Sequence, residues 1–203
     1  MFCEFLQLIT KLDQTVAFMS YNQDAHFFYG YYSQICDLVY RIVPYLVLFI
    51  LILPVILLFT KKYSSRELLR LTLINYLSLF MSVGLIINLT FKPYWGRPRP
   101  RDFTSNISNY RDFWQINWHR SEIENSFPSG HASVGFFLGL PFYSLTRQKK
   151  YLILSCVSGG GIGLVRILQG GHYVTDVLFA GIIVFAVHYI IMILVDKFFK
   201  VSN

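Results

Sequence analysis

Residues 38–60 are almost entirely apolar, and so are residues 71–91, 129–146, 151–168 and 174–195. A helix needs ~20 such residues to cross the hydrocarbon core of a bilayer, where every backbone N–H and C=O must find its partner within the segment. Five runs of this kind in a chain of 203 residues predict an all-α fold, a polytopic membrane helical bundle that occupies residues 1–203 as a single membrane-embedded domain. Composition agrees, because a mean hydropathy of +0.46 with only 14% charged residues is far from that of a water-soluble domain. Pro44 and Pro54 fall inside the first run, where a membrane helix can re-satisfy the carbonyls that proline frees.

The net charge of +7 is spread between the apolar runs rather than along one stripe, and no nucleic-acid motif accompanies it, which argues against a nucleic-acid partner. Lys61, Lys62, Arg66 and Arg70 follow the first span, Arg147, Lys149 and Lys150 the third, and Lys197 and Lys200 the fifth. The positive-inside bias makes these ends cytoplasmic. The polar loop 92–127 and the stretch 166–176 then share the opposite, non-cytoplasmic face. That loop holds Trp95, Trp114 and Trp118, residues that favour the membrane–water boundary, so it is expected to lie against the bilayer surface. Residues 1–37 mix Glu4, Lys11, Asp13, Asp24 and Asp37 with many aromatics and read as an interfacial amphipathic segment. An odd number of spans puts the N-terminus on the non-cytoplasmic side. Two readings of the start follow: residues 1–12 are the stub of a sixth, shortened helix, or the first 37 residues translocate unaided.

Cys3, Cys36 and Cys156 have neither metal-ligand spacing nor an even count, and His26, His119 and His188 stand singly, as surface or hydrogen-bonded histidines do. Nothing in the sequence asks for a metal or another cofactor. Gly159, Gly160, Gly161 and Gly163 lack the Lys-Ser or Lys-Thr of a phosphate loop and lie inside an apolar run. Gly159 and Gly163 therefore predict a helix-packing face, matched by Gly135 and Gly139 on another span.

Topology brings three polar stretches to one membrane face. The first, from Lys92 to Pro100, carries Lys92, Arg97 and Arg99 among prolines that favour an extended chain. The second, from Phe127 to Ala132, places Ser129 as an N-cap before an apolar helix, so that its hydroxyl, Gly130 and the helix dipole form an anion site. The third, from Arg166 to Asp176, sets a guanidinium before two glycines and, if the chain is helical after Gly171, puts His172 and Asp176 on one helix face. Lys92, Arg99 and Arg166 supply cations, Ser129 and Gly130 neutral donors, and His131 and His172 two imidazoles. That division of labour fits phosphoryl transfer through a covalent intermediate. His172, oriented by Asp176, attacks phosphorus, while His131 protonates the departing alcohol and then activates water. Protein cations meet the developing charge, so no Mg²⁺ is required. Arg97 and Arg101 read as auxiliary headgroup contacts or solvated loop charge, Glu122 and Glu124 as solvent-exposed, and Asp102 and Asp112 as balancing neighbouring arginines.

Lys92 followed after six positions by Arg99-Pro100, then Pro128-Ser129-Gly130-His131, then Arg166, His172 and Asp176 resemble the three-part signature of the type 2 phosphatidic acid phosphatase and vanadium haloperoxidase superfamily. The resemblance covers roughly residues 40–195. It implies a membrane phosphatase acting on lipid phosphates at the non-cytoplasmic surface, with His172 as nucleophile and His131 as acid, and it selects Arg99 over Arg97. Val165 departs from the serine common before this arginine in the family, which removes a hydroxyl but no charge. The family's usual six spans favour the stub reading of residues 1–12. The wording around the motifs, Trp95 to Pro100, Asn125 to Phe127 and Gln169 to Gly181, is similar to that of the bacterial lipid A phosphatases, which remove the 1- or 4′-phosphate at the periplasmic face of the inner membrane.

The residues leave the lipid open, since undecaprenyl pyrophosphate, phosphatidylglycerophosphate or phosphatidic acid would use the same chemistry. Two other readings stand beside hydrolysis. One is transfer of the phosphate to another lipid; the other is a non-enzymatic lipid-binding or transport protein with a basic mouth.

Overall fold

Four helices of the computed structural model, which describes residues 2–103, 110–118 and 123–201, are long and apolar enough to cross a membrane. In chain order the elements are α1 (Phe2–Met19), a short hairpin of β1 (Tyr21–Asn22) and β2 (Phe27–Phe28), α2 (Gln34–Phe59), α3 (Ser65–Leu79), a π-helical stretch (Phe80–Phe91), α4 (Lys92–Tyr94), α5 (Gly130–Phe137), α6 (Leu140–Thr146), α7 (Lys150–Leu168) and α8 (Val174–Val201). The chain is an all-α membrane bundle, as the apolar runs predict.

Helix α2 begins where Ser33 accepts the Cys36 N–H and passes through Pro44 and Pro54 without a break. A capping box starts α3: the Ser64 hydroxyl accepts from Glu67 N–H while the Glu67 carboxylate accepts from Ser64 N–H at 2.8 Å. This second span runs on through the π-helical stretch to Tyr94, so Lys92 sits on a helical turn and not in an extended loop. Pro93 is accommodated in that turn, and only Pro98 and Pro100 lie beyond it.

The third expected span, 129–146, is two short helices. The chain breaks at Gly139, whose N–H donates to the Ser155 hydroxyl at 3.1 Å and whose missing side chain leaves room for the Tyr151 carbonyl. A donor freed by the break thus finds a partner on α7, which makes the irregularity tolerable inside the bundle. The paired glycines pack as anticipated. A Cβ on Gly135 would lie 2.8 Å from the Gly159 Cα, and Gly159 itself faces the Phe136 ring. Gly163 packs instead on Val177 of α8, and the space beside Gly160 and Gly161 is open. Around these contacts Ile50, Ile87, Phe137, Leu140, Ala180 and Val184 form the buried core.

At one end of the bundle Arg70 pairs with Asp196 at 2.6 Å, Arg147 joins the same carboxylate, and Arg66 donates to the Phe199 carbonyl. The basic ends 66–70, 147 and 196–199 therefore meet, and the Lys92, Ser129 and His172 stretches meet at the other. Residues 2–12 fall within the longer helix α1, which is not one of the membrane-length apolar helices. It lies at the second end with Leu8, Leu12, Phe18 and Met19 exposed while Asp13 is buried against α8.

The other isolated groups depart from expectation in part. His188 is buried in α8, with Nε2 at 2.9 Å from the Ser144 hydroxyl and Nδ1 without a protein partner among the described residues. Cys36 is a buried free thiol and Cys156 an exposed one. Trp95 is half-buried, packing against Phe91 and Phe127 and donating to the Phe113 carbonyl, whereas Trp118 is exposed. Asp112 pairs with Thr10 and Tyr110 rather than with an arginine, and Glu124 pairs with Arg111. His119 and Glu122 lie outside the described residues.

Candidate active site

The last turn of α7 sets the first wall of the site. Gly170 N–H returns to the Ile167 carbonyl and Gly171 N–H to the Arg166 carbonyl, the two bonds of a Schellman ending, which needs the left-handed φ of +65° that Gly170 adopts. Gly171 is required for a different reason: a Cβ there would overlap the Arg166 guanidinium. Arg166 is buried and held by Gln169 Oε1 at 2.5 Å and by the Tyr40 ring face at 4.8 Å. Its Nε has no hydrogen-bond partner within the described protein.

His172 follows this turn and precedes α8, which begins at Val174, so His172 and Asp176 are not neighbours on a helix face. His172 Nδ1 lies 2.7 Å from the Ser126 carbonyl and 3.5 Å from Asp176 Oδ2. A carbonyl oxygen can only accept, so Nδ1 carries the proton and Nε2 keeps the lone pair in the neutral ring. The main orienting contact is thus Ser126, with Asp176 behind it. Burial pushes the His172 pKa down to about 4; Asp176 opposes that shift, and the nearby Arg166 and Lys92 reinforce it. The ring is neutral at neutral pH.

Asp176 has other attachments. It accepts from Ser126 Oγ at 2.5 Å, from Tyr173 N–H at 2.8 Å, which caps α8, and from Arg97 Nη1 at 2.5 Å. Arg97 is fully buried. Its second nitrogen reaches Asp13 at 2.8 Å, Nε donates to the Arg111 carbonyl, and its face lies 4.2 Å from the Tyr173 ring centre. It is therefore neither a headgroup contact nor solvated loop charge.

Helix α5 supplies the facing wall. Ser129 accepts from Ala132 N–H as an N-cap and donates its own N–H to the Asp176 carbonyl. Gly130 allows Asn88 to approach, because a Cβ would stand 2.7 Å from Asn88 Oδ1. His131 stacks on Tyr40 at 4.4 Å between ring centres, and the Arg166 guanidinium lies over the same ring. Lys92 lies within electrostatic range of both Arg99 and Arg166, and His131 within range of His172. Arg99 donates from Nε and Nη2 to Asn125 Oδ1 at 2.9 and 2.5 Å. None of Lys92, Arg99 and Arg166 forms an ion pair among the described residues.

All eight candidate residues, Lys92, Arg99, Ser129, Gly130, His131, Arg166, His172 and Asp176, fall at this one end of the bundle. Asp13, Tyr40, Arg97 and Ser126 join them without having been singled out as site residues. Only Ser126 and Arg97 had a sequence cue, through their position beside Asn125 and Arg99. Three cations without ion-pair partners among the described residues, a helix N-terminus and two imidazoles make a cluster suited to a phosphate dianion.

Such an arrangement on an all-helical membrane bundle defines a phosphatase class, and the chain belongs to the PAP2 superfamily, whose signature matches residues 72–200. It is 33% identical over 191 residues, covering 89% of this chain and 85% of its relative, to the lipid A 4′-phosphatase of Francisella tularensis subsp. novicida (strain U112). No solved structure matches the chain. It is a membrane lipid phosphatase.

Proposed function

We propose that the enzyme hydrolyses the 4′-phosphate of lipid A at the periplasmic face of the bacterial inner membrane through a phosphohistidine on His172. The observation that carries the mechanism is the His172 anchor: Nδ1–H bound to the Ser126 carbonyl leaves Nε2 as the nucleophilic nitrogen of a neutral ring. Lys92, Arg99 and Arg166, with the Ser129–Gly130 helix end, hold the equatorial phosphate oxygens. Nε2 forms the P–N bond as the P–O bond to the sugar breaks, and His131, whose pKa burial and the nearby Arg166 depress to about 3 until the bound phosphate dianion offsets those cations, takes up a proton with the substrate and gives it to the leaving alcohol. His131 then removes a proton from water, which attacks phosphorus, breaks the P–N bond and releases inorganic phosphate. The basic ends that meet at Asp196 support a cytoplasmic location for their own end of the bundle and hence a periplasmic one for the site. The relative's activity on lipid A supports the substrate.

Mass spectrometry of lipids extracted from membranes with and without the expressed protein tests this reading. Lipid A should lose one phosphate mass, from the 4′ position, with chelator present, and His172→Ala should leave it intact. Loss of phosphate from undecaprenyl pyrophosphate with lipid A unchanged would overturn the substrate.

A further inference from the structure

Helix α1 precedes the residues that match the family signature, yet it delivers a carboxylate to the interior of the site. Asp13 is 1% exposed. Its Oδ2 accepts from Arg97 Nη2 at 2.8 Å and from the Thr175 hydroxyl at 2.5 Å, and its Oδ1 accepts from Thr175 N–H at 3.0 Å. A side chain of one helix therefore caps the first turn of another, next to the nucleophile. Arg97 lies between this carboxylate and that of Asp176, and the Thr175 hydroxyl accepts from Arg97 Nη1 at 2.7 Å.

We propose that Asp13 is a positioning residue for the nucleophile: by sharing Arg97 with Asp176 it holds α8 in register and keeps the cluster behind His172 net negative. The inference rests on His172 being the nucleophile. Two carboxylates and one guanidinium carry a formal charge of −1, whereas Asp176 and Arg97 alone would carry none; burial raises the Asp13 carboxyl above its ordinary range against the pull of Arg97 and Thr175, so acidification removes this charge from wild type as well. Attack by Nε2 turns a neutral ring into a cation, and the groups that face it are unequal in sign. Asp176 on α8 favours that cation, while Arg166 on α7, Lys92 on α4 and His131 on α5 oppose it when charged. Asp13 supplies the second negative charge, in a buried setting where solvent screens it little.

The test uses the full chain in detergent with purified lipid A, following phosphate release against pH. Asp13→Asn, nearly isosteric, should lower kcat by roughly ten- to a hundred-fold, by analogy with the loss when a group orienting a metal-ligating histidine is removed, with KM close to wild type. Its activity relative to wild type should rise as pH falls toward about 4, because without Asp13 the ring takes its proton at lower pH. Taking the ratio cancels the ionisation of the substrate. Asp13→Glu should recover part of the rate. Where Asp13→Asn fails to fold, Thr175→Val decides, with a smaller loss in the same direction and the same pH trend. A wild-type kcat, or a loss that is equal at every pH and not recovered by glutamate, overturns the proposal. An active His172→Ala would instead overturn the nucleophile, while an inactive His172→Ala beside a fully active Asp13→Asn would sink only the role of Asp13.

Discussion

The bundle has an arginine–aspartate cluster at each end, and the two are built on opposite plans. At the far end Arg70 and Arg147 converge on Asp196, each partly exposed, so cations outnumber carboxylates where solvent can screen them. At the site end a single buried Arg97 serves both Asp13 and Asp176, so carboxylates outnumber the cation where nothing screens them. The surplus negative charge stands behind His172, and the surplus positive charge of Lys92, Arg99 and Arg166 stands in front of it. Charge at the far end ties helix ends together, whereas charge at the site end is separated across the nucleophile.

Breaking the buried cluster should have the largest effect. Arg97→Met leaves Asp13 and Asp176 uncompensated and should cost about 3–5 kcal/mol of stability, read as a fall in the unfolding midpoint in detergent. A loss below ~1 kcal/mol would place this cluster in the same class as the exposed one.

A pH effect sharpens the same contrast. His172 is neutral in the folded protein, with a pKa pushed down to about 4, and the unfolded value is about 6.5. Between these values the unfolded chain binds the proton and the folded one does not, so stability rises with pH across that window and is lost as pH falls through it. The contribution is on the order of 3 kcal/mol. His172→Gln should flatten this part of the stability–pH curve, and an unchanged slope would show that the ring is not held neutral.

Tyr40 tests the wall in front of the nucleophile. Its ring touches both His131 and Arg166, so Tyr40→Ala should slow turnover by about tenfold, while Tyr40→Phe, which keeps the ring, should stay near wild type. A rate lost equally in both variants would assign the effect to the hydroxyl. The smallest change belongs to the far end: Asp196→Asn should shift stability by less than about 1 kcal/mol and leave phosphate release unchanged.

Much of this was legible in the residues because apolar run length and charge placement are local signals. They located the four membrane-length helices found among the described residues and the shared face of Lys92, Arg99, Ser129, His131, Arg166 and His172. The break at Gly139 was not legible, since it depends on a hydroxyl offered by Ser155 of another helix. Nor was the partner of His172, because a backbone carbonyl leaves no mark in the sequence and the i, i+4 spacing pointed to Asp176 instead. Asp13 lies 84 positions from Arg97 and 162 from Thr175, and a single acid on a mixed aromatic segment has no periodicity to announce its partner. Tyr40 was hidden likewise among the many aromatics at the start of α2.

The central claim is that His172 carries the phosphoryl group, and trapping it is the most direct test. Wild-type protein is mixed with lipid A labelled in its 4′-phosphate, quenched in alkali within one turnover and digested for mass spectrometry. The account predicts a phosphorylated peptide containing His172, stable to alkali and lost in acid, and no such peptide from His172→Ala. Label on a different residue, or full turnover by His172→Ala, would contradict it.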